Sequence, residues 1–266
     1  MSRLLCLALS TAKAARAFGQ RTTTFMASAE WCKYLEDMPQ RAHTDRLWPV
    51  VLRIPGLMQQ VDGLDVTEST LSEVLALLQQ IDTINLSLNT WLDAYKQDVP
   101  VDDDQHGPFT ALPMTLELKL SPPVDFVTIS EAEVKMTYWA YKLELSMLRE
   151  QIEALQITTA DDCPVPKNSG TSAHRFASLI GRSMAYWLKH VSTNVWLKHV
   201  STDVCLFRLL YSVRLAWTWF ARYPELYEAE LAACRILRTK MKSVPKTGMA
   251  EFVMDLFYKP PPEETE

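Results

Sequence analysis

Val134, Tyr138, Tyr141, Leu145, Leu148, Ile152 and Leu155 recur at alternating steps of four and three, along a stretch without Gly or Pro. That spacing collects the side chains on one face of an α-helix. Such a seam has to be covered, by other helices of the same chain or by a partner. It spans just over three heptads, short for a free coiled coil, so a helix inside an intramolecular bundle is expected.

Other stretches follow the same period. Leu71, Val74, Leu75, Leu78, Ile81, Leu88, Trp91 and Leu92 predict a helix from about Thr67 to Tyr95, with Thr67 or the Ser69–Glu73 stretch as its start. Asp45 or Thr44 is placed to cap a helix through Leu47, Val50, Val51 and Ile54 that tolerates Pro49 and is interrupted at Pro55-Gly56. Helix is expected again from Ser172, with interruptions, to about Met241. Its last piece carries Glu228 and Glu230 early and Arg235, Arg238, Lys240 and Lys242 late, matching the helix dipole. With only 7 Gly, and 15 Pro gathered between the periodic segments, turn-rich β folds are disfavoured. The expected fold class is all-α: an irregular multi-helix bundle with long Pro-rich connectors near 98–127 and 157–171. The first connector has room for a short extended piece at Thr115–Leu120.

The expected organisation is an N-terminal helix or targeting-like segment at 1–29, a single α-helical domain at 30–258, and a disordered acidic tail at 259–266. Residues 1–29 contain Arg3, Lys13, Arg16 and Arg21 and no acid, the composition of a mitochondrial presequence. An ordinary first helix is the favoured reading. The apolar run Val204–Phe220 carries Arg208 and Arg214, which are costly inside a bilayer, so it reads as a buried helix with two snorkelling arginines. No membrane partner is expected.

Charge and cysteine content exclude further classes. A net charge of −5 without a basic stripe offers no steering towards nucleic acid. Cys6, Cys32, Cys163, Cys205 and Cys234 are scattered, and no two form a C-x-x-C pair. They therefore read as reduced thiols, without a zinc box or redox pair.

Each candidate for chemistry has a plainer reading. His190 and His199 sit nine residues apart in a direct repeat, WLKHVSTNV at 187–195 and WLKHVSTDV at 196–204. In an unbroken helix that separation puts the copies on opposite sides, and Trp187 and Trp196 could not share one core. A break near Ser192-Thr193-Asn194 is expected, with the histidines on a surface or loop. Asp102-Asp103-Asp104 lies among Pro and Gly and reads as a solvated acidic loop rather than a magnesium site. Trp217, Trp219, Phe220, Tyr223 and Tyr227 could line a pocket, but at helical spacing aromatics more often build the core. No activated nucleophile is recognisable. No catalytic, cofactor-binding or metal-ligating residue is assigned, no cofactor is expected, and the chain is not read as an enzyme.

Several segments taken in order resemble a known arrangement. They are FMASAEW at 25–31, DRLWPVVLRIPGLMQQVD at 45–62, the helix ending in Leu88-Asn89-Thr90-Trp91, TYWAYKLEL at 137–145, AHRFASLIGRSMAYWL at 173–188, and VCLFRLLYSVRLAWTWF at 204–220 followed by Tyr223-Pro224-Glu225-Leu226. Together they resemble the C-terminal helical region of fungal zinc-cluster transcription factors, many of them encoded near secondary-metabolism genes. The six-cysteine zinc cluster of that family is not matched here, so direct zinc-dependent DNA binding is not expected. The resemblance implies a nuclear regulator acting through a protein partner or homodimer, with an exposed part of the Val134–Leu155 seam as a dimerisation surface. The effector is left open. The alternative is a mitochondrial or cytosolic protein of small-molecule metabolism with an aromatic-lined pocket.

Overall fold

The computed structural model describes residues 13–37, 45–64, 71–98, 123–157, 172–191 and 203–242. Among the described residues every regular element is helical: α1 (13–20), α2 (Ala29–Glu36), α3 (Trp48–Val51), α4 (Ile54–Asp62), α5 (Leu71–Asp98), α6 (Ile129–Ile157), α7 (Ser172–Val191), α8 (Asp203–Phe220) and α9 (Glu228–Lys242), with short 3-10 turns at Phe25–Ala27 and Asp45–Leu47. The all-α expectation holds. The predicted connectors lie largely, and the acidic tail wholly, outside the described residues, as does the break expected at 192–194.

α6 is the hub of the bundle. Its 29 residues make a rod about 43 Å long at ~1.5 Å per residue. It contacts α7, α8, α5 and α4, while α7, α8 and α9 also pack on one another. The sequence builds this start locally. Thr128 Oγ1 accepts the Glu131 N–H at 3.1 Å, and the Glu131 carboxylate accepts the Val127 N–H at 2.8 Å. This is a capping box displaced by one residue. Most of the seam is consumed inside the chain: Val134, Tyr141, Leu145, Leu148 and Ile152 are buried, and Met136, Ala140, Leu143 and Met147 bury the neighbouring faces too. A helix apolar on most sides belongs in a core. Tyr138 and Leu155, the other two seam positions, stay part-exposed.

Small residues let the helices approach closely. Ser212 Oγ donates to the Arg208 carbonyl at 2.7 Å and lies 3.3 Å from the Met136 carbonyl, bringing α8 against α6. A Cβ at Gly181 would meet Phe220 Cζ at 3.1 Å, so α7 and α8 touch where α7 has no side chain. The buried set from Ala14 to Leu237 forms one cluster, which includes Phe18, Met26, Trp48, Ile54, Ile81, Leu88, Trp187 and Phe220.

One element differs from expectation. The helix predicted from Asp45 through Ile54 is two pieces, broken at Leu52-Arg53. Pro55-Gly56 does not interrupt helix, because Pro55 stands in the first turn of α4, where a missing N–H costs nothing. The helix predicted at 67–95 is described over Leu71–Asp98. Residues 13–27, set apart in the sequence as a separate segment, bury Ala14, Ala15, Phe18 and Met26 in the common core.

Candidate functional site

The most chemically distinctive place in the fold begins at the end of α1. The Thr22 N–H reaches back to the Ala17 carbonyl at 3.1 Å, the wrap-around bond of a Schellman ending. Such an ending needs a left-handed residue, normally glycine, and here that residue is Arg21 at φ 52°. Left-handed backbone costs a side-chain-bearing residue roughly 1–2 kcal/mol. The turn aims the guanidinium inward.

Arg21 then joins two carboxylates. Its Nε and Nη2 donate to Asp62 Oδ2 and Oδ1 at 2.6 and 2.9 Å, and its Nη1 donates to Glu144 Oε1 at 3.2 Å. The following turn is pinned as well, because the Thr23 N–H donates to Gln59 Oε1 at 2.8 Å. Glu144, on α6, is 1% exposed. Its second oxygen accepts from Tyr211 Oη at 3.1 Å. Above this pair the Phe18 ring packs against Tyr211 at 4.9 Å and Tyr141 at 5.7 Å between centroids. A buried carboxylate is tolerated only when paired and hydrogen-bonded, and Glu144 is both.

The electrostatics follow from burial and pairing. Burial pushes the Glu144 carboxyl above its ordinary pKa, against the pull of Arg21 and the Tyr211 hydroxyl. Burial also drives the Tyr211 hydroxyl far up, with the Glu144 charge adding to it. The Arg21 hydrogen bond holds Asp62 below the ordinary carboxylate value. Arg214, one turn further along α8, has its pKa lowered by burial, opposed by Tyr211 and Glu144.

A cavity of about 120 Å³ adjoins this network, with Phe18, Arg21, Glu144, Tyr211, Arg214 and Arg222 in its lining. A second, larger cleft of about 530 Å³ runs between α5, α6 and α7, with Lys142, Arg149, Glu153 and Phe176 among its lining residues. Asp82, which also lines that cleft, pairs with Arg149.

The residues singled out in the sequence fare differently. Trp219 and Phe220 are buried, and Trp219 packs with Tyr227 and His174 at 5.2 and 5.3 Å between centroids. The Tyr227 hydroxyl meets His174 Nδ1 at 3.1 Å. Trp217 lies under the guanidinium groups of Arg235 and Arg238 at 5.4 and 6.0 Å. Tyr223 stacks edge-on against Trp219 at 6.0 Å. These aromatics seal the α7–α8–α9 junction and line neither cavity. His199 and Asp102-Asp103-Asp104 lie outside the described residues, as does the side chain of His190. Among the described residues no three His, Cys, Asp or Glu side chains gather as a metal site would require, and no helix is long and apolar enough to cross a membrane.

Arg208 does not snorkel, whereas Arg214 is half-buried. Arg208 is 6% exposed with its guanidinium 5.9 Å from the Trp48 ring centre, and Arg214 turns towards Glu144 and Tyr211. The sequence carries no signal for the Arg21–Glu144 pairing, whose members are 123 positions apart. Comparison with protein families, with curated proteins and with solved structures gives no match.

Proposed function

We propose that this chain is a non-catalytic regulatory module, akin to the helical regulatory region of fungal zinc-cluster transcription factors. It acts by protein contact. One observation carries the reading. The stretches behind the resemblance, at 25–31, 45–62, 137–145, 173–188 and 204–220, contribute to one shared core rather than to separate bodies. The polar groups at Arg21, Asp62, Glu144 and Tyr211 are engaged with one another, which suits a structural clasp better than a reacting centre. With most of the α6 seam buried internally, contact with a partner protein or a second copy falls to outward faces, such as the α5 side that exposes Leu71, Leu75 and Leu86.

The alternative, a mitochondrial or cytosolic protein of small-molecule metabolism, has less to draw on. Its aromatic pocket candidates are packed together, and cleavage of the first twenty-odd residues would remove Phe18 from the core. A tethering assay tests the proposal. The full chain fused to a heterologous DNA-binding domain should change reporter transcription several-fold, and the tagged chain should populate the nucleus. An unmoved reporter together with a chain confined to mitochondria would count decisively for the alternative.

A further inference from the structure

The turn between α1 and α2, with α2 itself, carries a row of aromatic rings outside the clasp. Trp31 is its middle member: the Phe25 ring stands edge-on to it at 5.5 Å and the Tyr34 ring lies at 5.4 Å between centroids. Phe25 is 57% and Tyr34 51% exposed, while half-buried Trp31 packs back on the core and holds the row in place. Contiguous exposed aromatic surface of this kind marks an interaction site. The row is polar at its ends. Lys13 Nζ lies over the Phe25 ring at 4.6 Å, and Arg16, one turn along α1, donates to Gln20 Oε1 at 3.1 Å. Glu30 stands four residues before Tyr34, on the same face of α2. Among the described residues neither Lys13 nor Arg16 has a carboxylate partner, and Glu30 has no cationic one. Lys33, Glu36 and Asp37 stand further round α2 than Glu30, at ~100° per residue.

One segment of this chain matches that order of charge, apolar surface and charge. Lys259-Pro260-Pro261-Pro262-Glu263-Glu264 places a cation, three prolines and two acids in sequence. Consecutive prolines favour the extended polyproline II helix, which aromatic-lined surfaces recognise because it arrives preformed, with little ordering entropy to lose. At ~3.1 Å per residue three prolines cover about 9 Å, the scale of the two ring-to-ring steps of the row. The chain from Lys242 to Pro260 can extend up to about 60 Å. That exceeds twice the radius of gyration of ~18 Å usual for a chain of this length, so every face of the domain is within reach. We propose that the chain's own segment 259–264 docks on the Phe25–Trp31–Tyr34 row, its prolines against Trp31 and Tyr34. Lys259 then points to Glu30, and Glu263-Glu264 to Lys13 and Arg16. The tail covers a surface fitted to proline-rich, acidic segments of other proteins and competes with them from within the chain. The inference does not rest on the transcriptional reading and survives its failure.

Hydroxyl-radical footprinting of the full chain, read by mass spectrometry at Trp31 and Tyr34, tests it. The comparison is a full-length chain carrying Pro260→Ser, Pro261→Ser and Pro262→Ser, with its fold checked by circular dichroism. A flexible tether gives about millimolar effective concentration, so a contact with a Kd of about 0.3 mM is occupied roughly three-quarters of the time. Trp31 and Tyr34 should then be modified about threefold faster in the serine variant than in wild type. The acetylated peptide KPPPEETE in millimolar excess should restore their protection in that variant. Lys13→Glu, an exposed change, should raise both rates about twofold, in the range of an exposed ion pair. Wild-type protection should survive dilution by about a hundredfold, as a contact within one chain requires. Equal rates in wild type and the serine variant overturn the proposal, as does a peptide that restores nothing or a Lys13→Glu chain that reacts like wild type. Protection that fades on dilution places the contact between two copies and overturns it too. If the serine variant does not fold, Lys13→Glu against wild type decides.

Discussion

Arg21 combines a backbone penalty with a side-chain benefit, and the two can be separated by substitution. Arg21→Gly removes the hydrogen bonds to Asp62 and Glu144 but relieves the left-handed backbone at φ 52°. Arg21→Ala removes the same bonds and keeps the strain. Losing the partner of a buried charge costs roughly 1.5–3 kcal/mol, while exchanging alanine for glycine at a left-handed position returns about 1 kcal/mol. Urea denaturation should therefore rank wild type above Arg21→Gly, and Arg21→Gly above Arg21→Ala. Equal stability of the two variants would remove the strain argument.

Glu144 belongs to the same scale. Its carboxyl binds a proton more tightly when folded than unfolded, because burial raises its pKa. Stability from this group is therefore fully present below the unfolded carboxylate value and is lost as pH rises through the folded one. Asp62 works in the opposite direction, since Arg21 lowers its pKa and its contribution is lost as pH falls through the folded value. Glu144→Gln removes the first dependence and leaves the second. The stability of wild type relative to Glu144→Gln should rise as pH is lowered from neutrality towards the ordinary carboxylate range. Parallel pH–stability curves for the two proteins would contradict this.

At the scale of elements, legibility depended on how local the deciding physics is. The α6 seam could be read because a helix repeats its buried face every three or four residues, and its burial in a bundle followed from its length. The two-piece form of 45–62 escapes a local reading because Pro55 looks like a breaker at a place where it opens a helix. The capping box at Thr128–Glu131 is legible as a T-x-x-E pattern. The Arg21–Glu144–Tyr211 site was not legible, since it joins α1, α6 and α8 through contacts that no local pattern encodes. Arg214 likewise reads from sequence as a snorkelling arginine on a buried helix, and nothing local in the sequence places it beside Glu144 and Tyr211. Helix packing gives this scale its prediction. Gly181→Ala gains about 1 kcal/mol of helix propensity but drives a methyl into Phe220, with the nearest atom at 3.1 Å. Overpacking of that kind costs roughly 1–3 kcal/mol, so a net loss of thermal stability is expected. A rise in melting temperature would mean that α7 and α8 can move apart freely.

For the whole molecule, the governing feature is that the N-terminal segment is built into the bundle. Phe18 lies between Tyr141 and Tyr211, Arg21 pairs across to α4 and α6, and Met26 is buried beyond them. Burying one such aromatic contributes about 1.5–3 kcal/mol, and the Arg21 bonds add roughly 1.5–3 kcal/mol. Total stability of a domain is only about 5–15 kcal/mol. The segment thus supplies a large share of the margin on which any regulatory contact depends.

The most direct measurement is cooperative urea unfolding, followed by circular dichroism, of the full chain beside a chain beginning at Thr23. If the N-terminal segment is part of the core, the shortened chain will lose at least about 3 kcal/mol, by the aromatic burial and ion-pair contributions above, or will fail to fold. Unfolding curves that superimpose would show that residues up to Thr22 are dispensable, and would contradict the account at its centre.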